Sequence, residues 1–422
     1  MLWFAGNPVA VGRSQIVTAL DVGTTKVCCF IARADAEGYL RVIGIGHQLS
    51  RGMRAGTVID MDATEESIRS TVDAAERMAD ETVREVYVGL AGGRPLSHTV
   101  GVEVSIAGHE ISDSDLHRVL AQGRPQEESA DREILHSLPV GFSIDGTTGI
   151  RDPRGMFGSR LGVNIHVVTV ATGPLRNLSM CVERGHLGVA QIVAAPYASG
   201  LATLVEDEMR LGVTLIDMGG GTTSIAVFRD GEVIFADSVS LGGVHVTSDI
   251  ARGLATTMLH AERMKTLFGS AITSPADVRE LIDIPLVGEN EAENSHQVPR
   301  SALVGIIRPR LEEILELVRG RLEASGMDKA AGRRVVLTGG ASQMTGIREL
   351  AARVLDKQVR LGRPTRVAGL AEATGGPAFA TCAGLLRLAT REGSPALDDL
   401  RQLAPVGAAR FGRVGRWLRA NF

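Results

Sequence analysis

No run in this 422-residue chain approaches the roughly 20 apolar residues that a membrane-spanning helix needs. The apolar start Met1-Leu-Trp-Phe-Ala-Gly-Asn-Pro8 lacks a basic leader and is interrupted by Asn7-Pro8, so it does not read as a secretion signal. Cysteine is scarce. Cys28, Cys29, Cys181 and Cys382 make no C-x-x-C pair and no metal spacing, which leaves them as small buried core residues in a reducing cytosol. The histidines contain no H-E-x-x-H or similar ligand spacing, and His166, in an apolar stretch, reads as a satisfied core residue. There is no G-x-S-x-G elbow and no G-x-x-x-x-G-K-[ST] loop, so nothing proposes a covalent nucleophile. A net charge of −4 gives no sign of a nucleic-acid partner.

What the chain does have is apolar mass and glycine. With 44% hydrophobic residues and 50 glycines it can bury a large core in more than one domain. The stretch Leu215 to Phe228 enters as an apolar run, turns on Gly219-Gly220-Gly221 and leaves as an alternating run through Ile225 and Val227, the pattern of a strand-turn-strand hairpin. Three glycines are more than a turn needs. Without Cβ atoms such a tip can bring backbone N–H groups against a phosphate, and Asp217 at the end of the incoming strand can hold magnesium through its water shell. Taken alone, the stretch is equally well an ordinary glycine hairpin.

The same grammar recurs from Ala19 to Phe30: an apolar strand, Asp21, a turn on Gly23, Thr24 and Thr25, then a second apolar strand opened by Lys26, a cation that can reach phosphates. Two such hairpins about half a chain apart suggest a duplicated α/β core whose halves face each other across one nucleotide. A third element, Val335 to Gly346, runs as a strand into Gly339-Gly340 and then a helix, where backbone can approach an adenine or a ribose. Between the hairpins lies a differently made stretch, with strands at Val100 to Ala107, Glu133 to Leu138 and Leu161 to Val170 and a helix capped by Ser112, which reads as a small α+β insertion in the first half. Ser274 to Pro299 is polar, acidic and proline-punctuated, an exposed surface of another small subdomain.

After Arg391 the helical signal stops, and Ser394-Pro395 and Ala404-Pro405 mark a tether. Wound as a helix, the last residues place Phe411, Val414, Trp417, Leu418 and Phe422 on one side and Arg413, Arg416 and Arg419 on the other, with no acidic residue after Asp399. That is the pattern of an interfacial helix facing an anionic leaflet. The other reading is a core-docking terminal helix with a solvated basic face.

The phosphate and adenosine elements, in this order and spacing, resemble the actin-like ATPase superfamily. Ile134-Leu-His-Ser-Leu-Pro139, Phe142-Ser-Ile-Asp-Gly-Thr-Thr-Gly-Ile150, Gly155-Met-Phe-Gly-Ser-Arg-Leu161, Ser240-Leu-Gly-Gly-Val-His-Val-Thr-Ser-Asp-Ile-Ala251 and Ala261-Glu-Arg-Met-Lys265 narrow the resemblance to the FtsA family of bacterial cell-division proteins, over nearly everything from Ser14 to Thr390. The resemblance implies a first core half from 14–92, 172–203 and 377–390, an insert at 93–171, a second half from 204–248 and 309–376 carrying a subdomain at 249–308, a linker at 391–408 and a membrane-targeting amphipathic helix at 409–422. It implies ATP with Mg²⁺ shared by Asp21 and Asp217, phosphates clasped by Gly23, Thr24, Thr25 and Lys26 on one side and by Gly219, Gly220, Gly221, Thr222 and Thr223 on the other. Glu262 and Lys265 would contact ribose and base, with Gly339, Gly340 and Ser342 bordering the nucleoside. In isolation Glu262 and Lys265 read as a weak surface pair.

Two departures bear on turnover. FtsA chains commonly carry aspartate where Ser224 stands, and hydrolysing cousins place Glu or Gln near Pro196 to orient water, where this chain has Ala194 and Ala195, with Gln191 a little upstream as the remaining candidate. ATP binding with slow hydrolysis at most is therefore expected. The resemblance further implies actin-like filaments of the chain itself, the C-terminal tail of FtsZ bound on the 249–308 subdomain with Arg300 as the candidate contact, other divisome partners, and a place on the cytoplasmic face of the bacterial inner membrane at the division site. A metabolite kinase or a chaperone-type ATPase on the same core remains the alternative, disfavoured by the tail and by the roughly thirty residues left after the last core helix.

Overall fold

The computed structural model describes residues 15–390, apart from 36–37, 124–130, 286 and 288–294. Its first sheet opens with β1 (Gln15–Val22), β2 (Lys26–Ala34) and β3 (Leu40–Leu49); helix α1 (Met61–Ala79) covers them and β4 (Glu85–Leu90) follows. The chain then leaves for the insert: β5 (Leu96–Ser105), α2 (Asp113–Gln122), β6 (Arg132–Ile144), β7 (Thr147–Ile150) and β8 (Arg160–Ala171). It returns through α3 (Thr172–Arg184) to β9 (Gly188–Ala194), which completes the first sheet in the order β9-β4-β1-β2-β3, and continues into α4 (Ala195–Thr203).

The second half repeats this plan. Strands β10 (Val213–Met218), β11 (Thr223–Arg229) and β12 (Glu232–Val239) are followed by helices α5 (Gly243–Gly253), α6 (Met258–Phe268) and the 25-residue α7 (Arg300–Ala324). Then come β13 (Arg334–Thr338), α8 (Ile347–Leu355), β14 (Gln358–Leu361) and finally α9 (Ala380–Thr390). The sheet order is β12-β11-β10-β13-β14. In each half the leading strand pairs antiparallel with its hairpin partner on one side and parallel with a later strand on the other, β1 with β4 and β10 with β13. The expected duplicated α/β core is present, and so is the α+β insert, whose sheet β5-β8-β6-β7 buries Leu116, Val119, Leu161 and Val163 in a core of its own.

The halves are joined by α4 and α9. Every residue of α4 is buried, so the helix touches packed surface all round, as an apolar circumference requires. Tyr197 lies against Phe228 of β11 at 6.2 Å, and Val213, Leu215, Ala226 and Phe228 of the second sheet belong to the same apolar cluster as the first sheet. Helices α4 and α9 cross so closely that a Cβ on Gly384 would strike the carbonyl of Ala198. The four cysteines are free and buried, as their setting implied.

Candidate functional site

The two hairpins are built to one register. In the first, Asp21 lies opposite Cys28 and the Gly23 amide donates to Lys26 O at 3.0 Å; in the second, Asp217 lies opposite Ser224 and the Gly219 amide donates to Thr222 O at 2.8 Å. The carboxylate, the first glycine and the closing carbonyl therefore keep identical spacing. The tips meet. A Cβ on Gly220 would sit 2.5 Å from Thr25 Cγ2, and one on Gly221 would strike Thr24, so glycine is what lets the two turns approach. The Thr24 and Thr25 turn is in turn fixed from behind, by Gly56 N–H donating to Thr24 Oγ1 at 3.0 Å and Ser50 N–H donating to Thr25 O at 3.1 Å.

Behind the tips the carboxylates converge. Asp217 accepts hydrogen bonds from Ser199 of α4 at 2.5 Å and from Thr381 of α9 at 3.2 Å, and those hydroxyls lie 2.9 Å apart. Burial raises the Asp217 carboxyl despite both bonds. Burial also pushes Asp21 up to about 6, with Lys26 opposing and the charge of Asp217 adding. Two desolvated carboxylates that repel each other suit a hard cation, which favours anionic oxygen donors. Lys26 is turned aside in this structure: its ammonium donates to Ala378 O and lies over the Phe379 ring, 3.5 Å from the centroid.

The nucleoside candidates form a contiguous wall running from the second tip. The Gly243 amide donates to Gly219 O at 3.0 Å, and Lys265 Nζ donates to Gly243 O at 3.2 Å, Thr247 Oγ1 at 2.9 Å and Glu262 Oε2 at 2.6 Å. Lys265 is thus anchored beside the loop while Glu262 stays half exposed, which is more than a solvated surface pair. Gly339 has φ +85°, and a Cβ there would strike Asp217 Oδ1, so the β13 turn lies directly against the carboxylate. Two glycine turns too close to their neighbours to carry a side chain, beside two raised carboxyls, offer the backbone amides and anionic oxygens that suit a phosphate with its cation.

Some predicted residues are placed differently. Ser342 is buried and donates to Gly339 O at 2.7 Å, so it shapes the turn from inside. Gln191 is level with Tyr87 and hence with Ala19, two strands over from β1 and two residues short of Asp21, roughly 10 Å sideways and 7 Å back, so the structure does not bring it to the carboxylates. Arg300 is an internal staple: its guanidinium donates to Phe268 O at 2.8 Å and pairs with Asp277 at 3.1 Å and Glu280 at 3.2 Å. Phe411, Arg413, Val414, Arg416, Trp417, Leu418, Arg419 and Phe422 lie outside the described residues. A cleft of about 1470 Å³ lined by Tyr39, Phe142, Met209, Arg229, Met327 and Arg387 lies elsewhere and contains none of the site candidates. Among the described residues no helix is long and apolar enough to cross a membrane, and no group of three or more His, Cys, Asp or Glu side chains could hold a metal.

Sequence reasoning missed Ser199 and Thr381. The signal for Ser199 was a small hydroxyl among the alanines, glycine and leucine of the buried helix Ala195–Thr203, since a buried hydroxyl has to find a partner.

Comparison with known proteins decides the family. The sequence profile "Cell division protein FtsA" matches residues 214–384, and "SHS2 domain inserted in FTSA" matches 92–169. The Cell division protein FtsA of Agrobacterium fabrum is 48% identical over 429 residues, covering 99% of this chain and 97% of that protein. The chain belongs to the FtsA family of cell-division proteins. The FtsA of Escherichia coli K12 is 32% identical, with 97% of this chain and 98% of its own covered. Among solved structures, a PilM-PilN type IV pilus biogenesis complex superposes with a TM-score of 0.62 at 17% identity, covering 89% of this chain and 99% of that one. MreB5 of Spiroplasma citri bound to ADP gives 0.52 at 12% identity, covering 88% and 94%. The fold is therefore the actin-like one, and this FtsA-family chain is an actin-like cell-division protein. The FtsA-specific insert profile spans β5 to β8 almost end to end.

Proposed function

We propose that the chain binds ATP with Mg²⁺ between its two hairpins, polymerises on the inner face of the cytoplasmic membrane and anchors the FtsZ ring there through its C-terminal amphipathic helix. The observation that carries the nucleotide half of this reading is the shared register of the hairpins, each bringing one raised carboxyl and one glycine turn to the same place. Asp21 and Asp217 would share the cation, whose charge would relieve their repulsion. The amides of Gly219 to Gly221 and of Gly23 to Thr25 would face phosphate oxygens, Thr222 and Thr223 would close the second turn, and Lys26 would leave Ala378 O for the anion. Lys265, Glu262, Gly339 and Gly340 would border the nucleoside.

Slow turnover follows from the positions that would aim a water. Ala194 and Ala195 have no side chain able to do so, and Gln191 stands two strands over from β1 and two residues short of Asp21. Binding is thus the main event and hydrolysis secondary.

The membrane half rests on the tail's pattern and on family membership. Arginines 413, 416 and 419 would face anionic headgroups, worth about 1 kcal/mol for each near the surface, while Trp417, Leu418 and Phe422 enter the acyl boundary. One such helix binds reversibly, so stable attachment requires many tails on one filament. Head-to-tail contacts that do not close would give such a filament. The FtsZ tail would dock on the 249–308 subdomain, and because Arg300 is internally paired, the exposed Arg279, flanked by exposed Val278 and Leu281, is the better residue to test. Co-sedimentation with anionic liposomes tests the reading: the native chain should pellet, more so with Mg·ATP, and Trp417→Glu with Leu418→Glu should stay in the supernatant. Persistence of that double variant on liposomes, in low and high salt alike, would remove the tail as the anchor.

A further inference from the structure

The insert touches both halves, and it touches them at the hinge. On the first half, the N–H of Ala194, which ends β9 and caps α4, donates to His136 Nε2 of β6 at 2.9 Å, and the His136 ring meets Tyr197 of α4 edge-on at 5.6 Å. On the second half, the N–H of Ala236 donates to Ser97 Oγ of β5 at 3.1 Å, and that hydroxyl is hydrogen-bonded to His166 Nε2 of β8. Ala236 belongs to β12, the edge strand of its sheet, so the insert covers an edge that would otherwise present unpaired backbone. His136 accepts through Nε2 and must be neutral there, while either Ser97 or His166 Nε2 can be the donor in their bond. Burial keeps both rings neutral, lowering His136 to about 3 and His166 to about 4. These contacts are therefore constant across physiological pH, a mechanical joint and not a proton switch.

The joint leads to the candidate cation site. Helix α4, whose first turn His136 holds, carries Ser199, the donor to Asp217. Its Gly200 lies against the Phe228 ring of β11, where a Cβ would collide. The insert is tied to the first half by its two chain connections and by Arg176 of α3, which donates to Glu133 of β6 at 2.7 Å. It must move with that half, so any separation of the halves has to strain or break the Ser97 bond to Ala236.

We propose that the insert is a clasp across the hinge, in which His136 and the Ser97–His166 pair couple the position of the insert to the separation of the halves and so to Asp217. This deepens the nucleotide reading above and rests on it for the identity of the ligand, while the mechanical coupling stands on contacts of its own. Because coupling is reciprocal, a partner that pulls on the insert alters the cation site, and occupancy of that site alters what the insert presents.

Hydrogen exchange on the full chain tests this at two amides, Ala194 and Ala236, in the native protein, in Ser199→Ala and in His136→Leu, each with and without Mg·ATP. Cutting Asp217 from α4 with Ser199→Ala should speed exchange at both amides by roughly five- to tenfold, the effect of a modest loss in local opening energy. His136→Leu should speed exchange at Ala236, which it does not touch, and His136→Gln, which keeps an acceptor, should restore it. If His136→Leu does not fold, Ser97→Ala read at Ala194 asks the same question from the other end. Unchanged exchange at the far amide in these variants overturns the clasp, even if Mg·ATP protects Gly219 to Gly221. Movement of both amides in Ser199→Ala, with Mg·ATP affecting neither the seam nor the glycines, keeps the clasp and rejects the nucleotide.

Discussion

Removing the charge of Asp21 should make the empty protein more stable and unable to hold its cation. The folded state keeps a proton on Asp21 up to about pH 6, whereas an unfolded aspartate releases it near 3.8. Between those values the native state binds more protons than the unfolded one, so stability falls as pH rises through the window and the penalty is complete above it. At 1.36 kcal/mol per pKa unit the full difference is about 3 kcal/mol, and because Asp21 is partly open to solvent the expected penalty is roughly 1–3 kcal/mol. Asp217 is raised with the same sign. Glu208, Asp115 and Asp152 are lowered, so their stabilisation is lost only as pH falls through their own folded values, and the comparison with a variant cancels it. Urea titrations of the native chain and Asp21→Asn from pH 4 to 8 should show the variant more stable by that amount at pH 7.5, with the advantage vanishing toward pH 4. Adding Mg·ATP at pH 7.5 should raise the native midpoint and leave that of the variant unmoved. Parallel pH profiles for the two proteins would refute the argument that these carboxylates are strained by burial and mutual repulsion.

Gly339→Ala should cost roughly 2–5 kcal/mol, the sum of strain at φ +85° and the collision with Asp217 Oδ1, read as a lowered melting temperature; a neutral effect would mean that the turn does not press on the carboxylate. Arg300→Glu should destabilise the chain by about 2–4 kcal/mol, because the buried Asp277 loses its partner and meets a like charge, a loss a thermal melt would detect. Arg279→Glu should leave the melt unchanged within about 0.5 kcal/mol while weakening capture of an FtsZ tail peptide in fluorescence polarisation; unaltered capture would exclude that surface.

The parts of the fold that were legible are those whose periodicity is local. Helix α2 begins one residue after the expected cap Ser112, and α8 is the helix expected after the Gly339-Gly340 turn, because caps and amphipathic spacing are short-range properties. Strand β6 was expected to stop at Leu138 and instead runs through Pro139 to Ile144. Proline is tolerated there because the register to β8 shifts between Pro139 and Gly141, and β7 pairs only from Phe142 onward, leaving Pro139 no donor to lose. Helix α4 ends at Thr203 and the short helix Glu206–Leu211 that follows is separate; its acidic Glu208 turns inward to Arg360, a long-range pair that no local pattern reveals. At the site, both aspartates and the glycine turns could be read from sequence because each hairpin is contiguous. Ser199, Thr381 and the Ala378 station of Lys26 could not, since each comes from a helix or turn more than a hundred residues away from, or on the other half to, the group it serves.

The central claim is that a nucleotide occupies the place where the two hairpin tips meet. Calorimetric titration of Mg·ATP into the native chain and into Gly220→Asp tests it directly, since the new carboxylate would stand beside Thr25, on the expected path of the phosphates. Saturable binding to the native chain that disappears in a folded Gly220→Asp is the predicted result; equal affinity in the two proteins, or no heat with either, would contradict the account.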